Sequence, residues 1–182
     1  FVYPFSVPEM IGDGMRVGFF PGSTIGNFTS DGAIDFLQGT RKVVGRRGSM
    51  IIGLDLKKDE RILHAAYNDS KGVTAAFNMN LLTRLNNELG ANFNLNKFCH
   101  EAFYNSEIGR VEMHLKSLSE QTVRLGPETI SFKKNETIHT ENSYKYGMDE
   151  FIELAERAGY KTLKSWSDQD NLFGIYFLQG IS

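Results

Sequence analysis

The chain has very little cysteine and no dominant sign of charge. Cys99 is the single cysteine among 182 residues, so no disulfide can form within the chain. Twenty basic and 22 acidic residues leave a net charge of -2, which gives no electrostatic case for a nucleic acid or an anionic membrane as partner. No apolar stretch reaches the length of a membrane span, and no basic-then-apolar leader opens the sequence. Internal repeats and low-complexity segments are also missing. Together these absences set the expectation of a soluble, cytoplasmic protein. The chain opens on Phe1-Val2-Tyr3-Pro4-Phe5, without methionine, and is expected to be a piece of a longer protein.

The most informative stretch that is present runs from Phe19 to Phe28, Phe-Phe-Pro-Gly-Ser-Thr-Ile-Gly-Asn-Phe. It follows the apolar run Met15-Arg16-Val17-Gly18, part of a strand expected over 15–20, and it precedes Thr29-Ser30-Asp31, a helix start. Gly22 and Gly26 permit unusual backbone conformations and close approach of a ligand. Asn27 adds an amide that both donates and accepts. In open α/β sheets ligands bind at this end of a strand. The glycine spacing fits neither the Walker nor the dinucleotide pattern and no lysine follows, which excludes a phosphate loop here.

Periodicity predicts a helix over 30–44, with Arg41, Lys42, Arg46 and Arg47 complementing the dipole at its end. The nearly continuous apolar run 49–56 predicts a strand buried on both faces of a parallel sheet, completing a crossover unit. A second helix is expected over 74–89, stopped by Gly90, and a short helix from Asn94 or Asn96, with Cys99 inside it. Residues 110–118 alternate, with Val111, Met113 and Leu115 facing one way and Glu112, His114 and Lys116 the other. A half-exposed antiparallel strand is expected, with 121–125 and 129–133 as its partners. A helix over 148–158 and a hairpin of 160–166 with 172–178 close the chain. The expected fold is α/β, divided as 1–56, an inserted α+β subdomain over 57–146, and a return to the sheet over 147–182. Four histidines lack metal-site spacing, Cys99 has no basic partner, and no Ser/His/Asp set is present, so neither a metal nor a catalytic nucleophile is expected.

Four segments together resemble a known family: Gly22-Ser23-Thr24-Ile25-Gly26-Asn27; Ala66-Tyr67-Asn68-Asp69 leading to Gly72-Val73-Thr74-Ala75-Ala76-Phe77-Asn78; Arg110-Val111-Glu112-Met113-His114-Leu115; and Ile138-His139-Thr140-Glu141-Asn142-Ser143-Tyr144-Lys145-Tyr146. The family is that of the S-adenosylmethionine-dependent, histidine-specific methyltransferases, which trimethylate the α-amino group of L-histidine to hercynine in ergothioneine biosynthesis. The likeness runs from about Arg16 to the C-terminus. It implies part of a Rossmann-like methyltransferase sheet with an inserted substrate-binding subdomain. The main cofactor loop of the family would lie before Phe1, in a missing N-terminal part of the same protein, so the chain alone is expected to be inactive.

The resemblance also implies roles. Asn27 and Tyr67 would hold the substrate carboxylate, Gly22 and Thr24 would orient the amine, and Gly22 and Ser23 would lie beside the cofactor. Glu141 and Ser143 would recognise the imidazole, with Met113 lining its pocket. No side chain is expected to act as a catalyst, since positioning supplies most of the effect in such a transfer. On residue type alone, Asn27 reads equally as a helix-start residue, Tyr67 and Met113 as packing residues, and 140–143 as a loop entering a helix. Two other functions compete: methylation of another amino acid such as tryptophan, and a non-catalytic amino-acid-binding domain.

Overall fold

A computed structural model describes residues 14–181; the reading of Phe1–Phe5 falls outside them. In chain order the elements are β1 (Val17–Phe20), α1 (Ser30–Val44), β2 (Ser49–Asp55), α2 (Glu60–Tyr67), α3 (Val73–Leu89), β3 (Phe98–Asn105), β4 (Arg110–Ser117), β5 (Gln121–Leu125), β6 (Glu128–Phe132), β7 (Thr137–Tyr144), α4 (Met148–Arg157), β8 (Tyr160–Ser167) and β9 (Phe173–Gly180). They form two compact units, a sheet unit (residues up to 58 and from 143 on) and an inserted unit (59–142). Among the described residues no helix is long and apolar enough to cross a membrane.

The sheet unit is α/β, with strand order β1-β2-β9-β8. β1 and β2 run parallel, as a crossover through α1 requires, and β9 returns antiparallel to both β2 and β8. The Thr29 hydroxyl accepts the Gly32 N–H to start α1, and Gly45 at φ 87° ends it, with Arg41 and Lys42 in the last turn as expected. Met50, Ile52 and Leu54 of β2 share one face with Tyr176 and Leu178 of β9. That face packs against Ala33 and Leu37 of α1 and Phe151, Leu154 and Ala155 of α4. The opposite face of the sheet carries Val17, Phe19, Ile175 and Trp166, all exposed among the described residues. β2 itself is buried or half-buried along both faces, as expected, but its neighbours are mixed, parallel on one side and antiparallel on the other, which corrects the expectation of a parallel sheet.

In the inserted unit, Asp59 accepts the Arg61 N–H to begin α2, a helix absent from the sequence reading. Asp69 accepts the Val73 and Thr74 N–H groups at the head of α3, and Gly90 at φ 64° stops α3 where expected. The segment expected as a short helix is only a 3-10 turn over Leu95–Lys97, after which β3 pairs with β4 along its whole length. Cys99 thus lies on a strand. β5 and β6 form a separate hairpin, and the partners of β4 are β3 and β7. Eight-residue β4 finds equal-length neighbours in β3 and β7, whereas five-residue β5 and β6 satisfy each other across Gly126. β4 is not half-exposed either: Glu112 and His114 are buried beside their apolar neighbours because they hydrogen-bond each other.

Candidate active site

In the sheet unit the chain leaves β1 through Pro21 and Gly22 and makes a 3-10 turn over Thr24–Asn27. The left-handed residue is Ser23, at φ 57°, and neither glycine has a positive φ. Gly26 is required for another reason: a Cβ there would stand 2.8 Å from the Tyr144 carbonyl oxygen. The Ser23 N–H donates to the Gly53 carbonyl (3.0 Å), and the Gly26 N–H donates to the Ser23 carbonyl (2.9 Å), so the turn is fixed to the end of β2. Gly22, Thr24 and Asn27 remain exposed. Because Thr29, two residues on, caps α1, Asn27 is not the cap of that helix, and it is exposed.

The same unit brings this turn to the strand segment that follows the insertion. The Tyr146 N–H donates to the Asp55 carbonyl, and the Lys57 N–H to the Tyr146 carbonyl. Lys145, only 2% exposed, places Nζ 2.8 Å from Asp55 Oδ2 and 2.8 Å from Ser143 Oγ. Asp55 Oδ1 is also held by Lys58, and the Asp55 N–H donates to Ser23 Oγ (2.8 Å). Ser23 and Ser143 are thus tied to one carboxylate residue. The place of Lys145 in the Ile138–Tyr146 motif was the only available signal for this pair, because a strand-end aspartate and a lysine become informative together only when 90 residues of chain separation close.

Tyr146 lies beside this network with its hydroxyl buried and, among the described residues, without a hydrogen-bond partner. Burial, then the neighbouring Tyr144 and Glu150, push that hydroxyl up to about 12.

The inserted unit holds Tyr67, Met113 and Glu141. Tyr67 ends α2 and packs with Leu63, Ala102, Val111 and Met113, so Tyr67 and Met113 share one cluster. Met113 is 2% exposed. The backbone of Tyr67 is fixed by a relay that the sequence reading missed. Fully buried Asn78 donates its amide to His100 Nδ1 (3.0 Å) and to the His114 carbonyl (3.0 Å), so the opposite ring nitrogen of His100 donates to the Tyr67 carbonyl (2.8 Å). The position of Asn78 in the Gly72–Asn78 motif was the only available signal. Glu141 sits on β7, half-buried, rather than in a loop entering a helix.

Glu112, His114 and His139, unrelated by spacing, come together with potential ligand atoms within 4.8 Å of one another. Their arrangement is that of a stack rather than a metal cage. His114 and His139 lie face to face (4.5 Å between centroids, 15° between planes), so their in-plane lone pairs run side by side. Phe103 covers the other face of His114, and Arg110 engages Glu112. Burial alone would raise the Glu112 carboxyl, but hydrogen bonds from Arg110 and His114 outweigh it and hold the group below its ordinary value.

Residues 5–180 match the family model of the SAM-dependent histidine-specific methyltransferases. Over 165 residues the chain is 39% identical to histidine N-alpha-methyltransferase of Mycolicibacterium smegmatis, covering 89% of this chain and 51% of the relative. It is 27% identical over 158 residues to ergothioneine biosynthesis protein 1 of Schizosaccharomyces pombe (86% and 20%). It is 30% identical over 157 residues to an L-tryptophan methyltransferase of Psilocybe serbica (82% and 43%). The chain spans about half the length of the bacterial relative it matches.

Proposed function

Since the chain belongs to the SAM-dependent histidine-specific methyltransferase family, we propose that it is the substrate-recognising part of an enzyme that methylates the α-amino group of L-histidine, and that a preceding segment of the same protein supplies the rest of the cofactor site. The observation that carries this reading is the turn at the carboxyl end of β1. It exposes Gly22, Thr24 and Asn27 and is anchored through Asp55 and Lys145 to the buried Ser143 hydroxyl. A position at the end of a parallel strand is where an α/β sheet offers ligands bare backbone.

S-adenosylmethionine supplies the methyl group as co-substrate. Gly22 suits its vicinity: the residue is exposed, and the nearest atom to a Cβ built there is Thr24 Oγ1 at 3.8 Å, leaving backbone open to a bulky neighbour. Gly22 and Ser23 flank that cofactor. The Gly22 carbonyl and the Thr24 hydroxyl accept hydrogen bonds from the substrate amine and aim its lone pair. The Asn27 amide and the Tyr67 phenol donate to the substrate carboxylate. Glu141 accepts the imidazole N–H, Ser143 serves the other ring nitrogen, and Met113 supplies apolar lining. No side chain forms a covalent intermediate; orientation of the amine carries the rate enhancement. The single cysteine supports a cytoplasmic setting.

The test is incubation of the full-length gene product, and separately of this 182-residue chain, with S-adenosylmethionine and histidine, with products read by mass spectrometry. Trimethylated histidine is expected from the full-length protein and none from the chain alone. Methylation of tryptophan in preference to histidine would overturn the substrate assignment in favour of the second reading.

A further inference from the structure

We infer that the cleft between the ends of α1 and α4 is a second ligand site, separate from the candidate active site, and that it takes a small anion carrying two or more phosphate groups. None of its residues has a part in the methyl transfer or in substrate recognition.

The cleft lies wholly within the sheet unit and has a volume of about 450 Å³, in the range of small-molecule sites. Gln38, Arg41 and Lys42 line it from α1, Arg46 from the turn that follows, and Arg157 from the last turn of α4. No acidic residue and no aromatic ring lines it among the described residues. α1 starts beside the exposed turn of the candidate active site and runs 15 residues away from it, about 22 Å at the helical rise. The cleft therefore lies at the opposite end of the sheet, beside the start of β2.

Lysine and arginine at a helix C-terminus complement its dipole, and two helices end here. Each end carries about half a negative charge, so together they offset about one of the four cations. The excess of about three meets no carboxylate. Among the described residues none of Arg41, Lys42, Arg46 and Arg157 makes an ion pair. Glu153 stands one turn before Arg157 on α4, at the spacing and in the order that favour such a pair, yet the two do not meet.

The cleft is also partly preorganised. The Arg41 guanidinium donates to the Ile181 carbonyl and lies against Gly159, where any Cβ would collide with it and where φ is 84°. Gly45, at φ 87°, has open space where a Cβ would stand and keeps the other wall clear. One held arginine and three exposed cations around a concavity match the spread charge of a diphosphate or triphosphate, because guanidinium forks engage phosphate oxygens in pairs. A single carboxylate would meet one cation and leave the others unmatched. With no ring to stack on, the site holds the phosphate groups and not a base.

The experiment is calorimetric titration of inorganic pyrophosphate into the full-length protein in metal-free, low-salt buffer, with orthophosphate as the comparison. Wild type should bind one pyrophosphate per chain, more tightly than orthophosphate, with an affinity that falls as salt is raised. Arg46→Gln and Arg157→Gln should each weaken pyrophosphate about tenfold. Neither side chain makes a hydrogen bond or ion pair among the described residues, so Tm without pyrophosphate should stay unchanged in both. Arg47→Gln is the control: it is next in the chain, exposed and outside the cleft, and should change the affinity by less than about twofold. Absence of saturable binding, or equal weakening by Arg47→Gln, would overturn the inference and leave the cluster as the solvated end of two helices. Displacement of pyrophosphate by S-adenosylmethionine would overturn it as well, because the anion would then occupy the candidate active site.

Discussion

The sheet unit and the inserted unit finish their interiors with different chemistry. In the sheet unit one continuous apolar cluster joins α1, β2, α4, β8 and β9, and Lys145 stands apart as a buried charge next to the candidate site. In the inserted unit the apolar residues divide into two smaller clusters, and between them Asn78, Glu112 and His114 are buried as hydrogen-bonded groups. Apolar packing is tolerant of exchange at constant volume, whereas a buried polar network fails as a set when one member is lost. The sheet unit is thus a scaffold with functional groups at its rim. In the inserted unit the scaffold and the supports of Tyr67 are the same residues.

The largest effect should come from breaking the apolar side. Phe151 is fully buried between the Tyr146 and Tyr176 rings, and Phe151→Ala should destabilise the sheet unit by about 3–5 kcal/mol. Hydrogen exchange resolved by peptide should show lost protection in β2, α4 and β9 first. Equal loss in β3 and β4 would mean that the two units are not separate in energy. Next in size, Asn78→Ala strands His100 Nδ1 and the His114 carbonyl and should cost about 1–3 kcal/mol. Its exchange signature belongs in α3, β3 and β4, and the affinity for the substrate carboxylate should fall along with it. A loss confined to the sheet unit would break the comparison.

The smallest effect has the opposite sign. Tyr146→Phe removes a buried hydroxyl that has no partner among the described residues and should leave stability unchanged or raise it by up to about 1 kcal/mol. It should also change the alkaline limb. With the folded-state value raised to about 12, the phenol stays neutral in the fold while the unfolded chain ionises near 10. Its contribution is complete below about pH 10 and is lost as pH rises toward 12. A denaturation series from pH 8 to 12 should fall less steeply for Tyr146→Phe than for wild type; identical slopes would place the hydroxyl in water. Tyr176, also pushed up to about 12 by burial and then by Asp149, keeps part of the slope in both proteins.

The same contrast explains what could be read from the residues. Elements of the sheet unit announce themselves: α1 has its helical stripe and Gly45, β2 its apolar run, and α4 begins with Asp149 and Glu150 and ends before Gly159. β3 and β7 are not legible as strands because polar residues break any alternation in them, and what makes them strands is β4, supplied from elsewhere in the chain. α2 was hidden by the charged run Lys57–Arg61, whose Asp59 is its cap. At the site, Gly22–Asn27 was legible through its punctuation, although only Gly26 is required for close approach, to the Tyr144 carbonyl, and neither glycine for left-handed backbone. The Asp55–Lys145–Ser143 tie and the Asn78–His100 relay were not legible, since each depends on partners brought together only by folding.

The central claim is that histidine is chosen by polar groups on the strand that leads out of the insertion, and Glu141 tests it most directly. A charge-assisted hydrogen bond to the ring N–H contributes roughly 1.5–3 kcal/mol, and each 1.4 kcal/mol is a factor of ten. The measurement is a competition between histidine and tryptophan for the full-length protein and its Glu141→Ala variant, expressed as the ratio of kcat/KM. The account predicts that the ratio falls about 10- to 100-fold, with tryptophan losing less than histidine or gaining. An unchanged ratio would contradict it and leave Glu141 as a strand residue without a part in recognition.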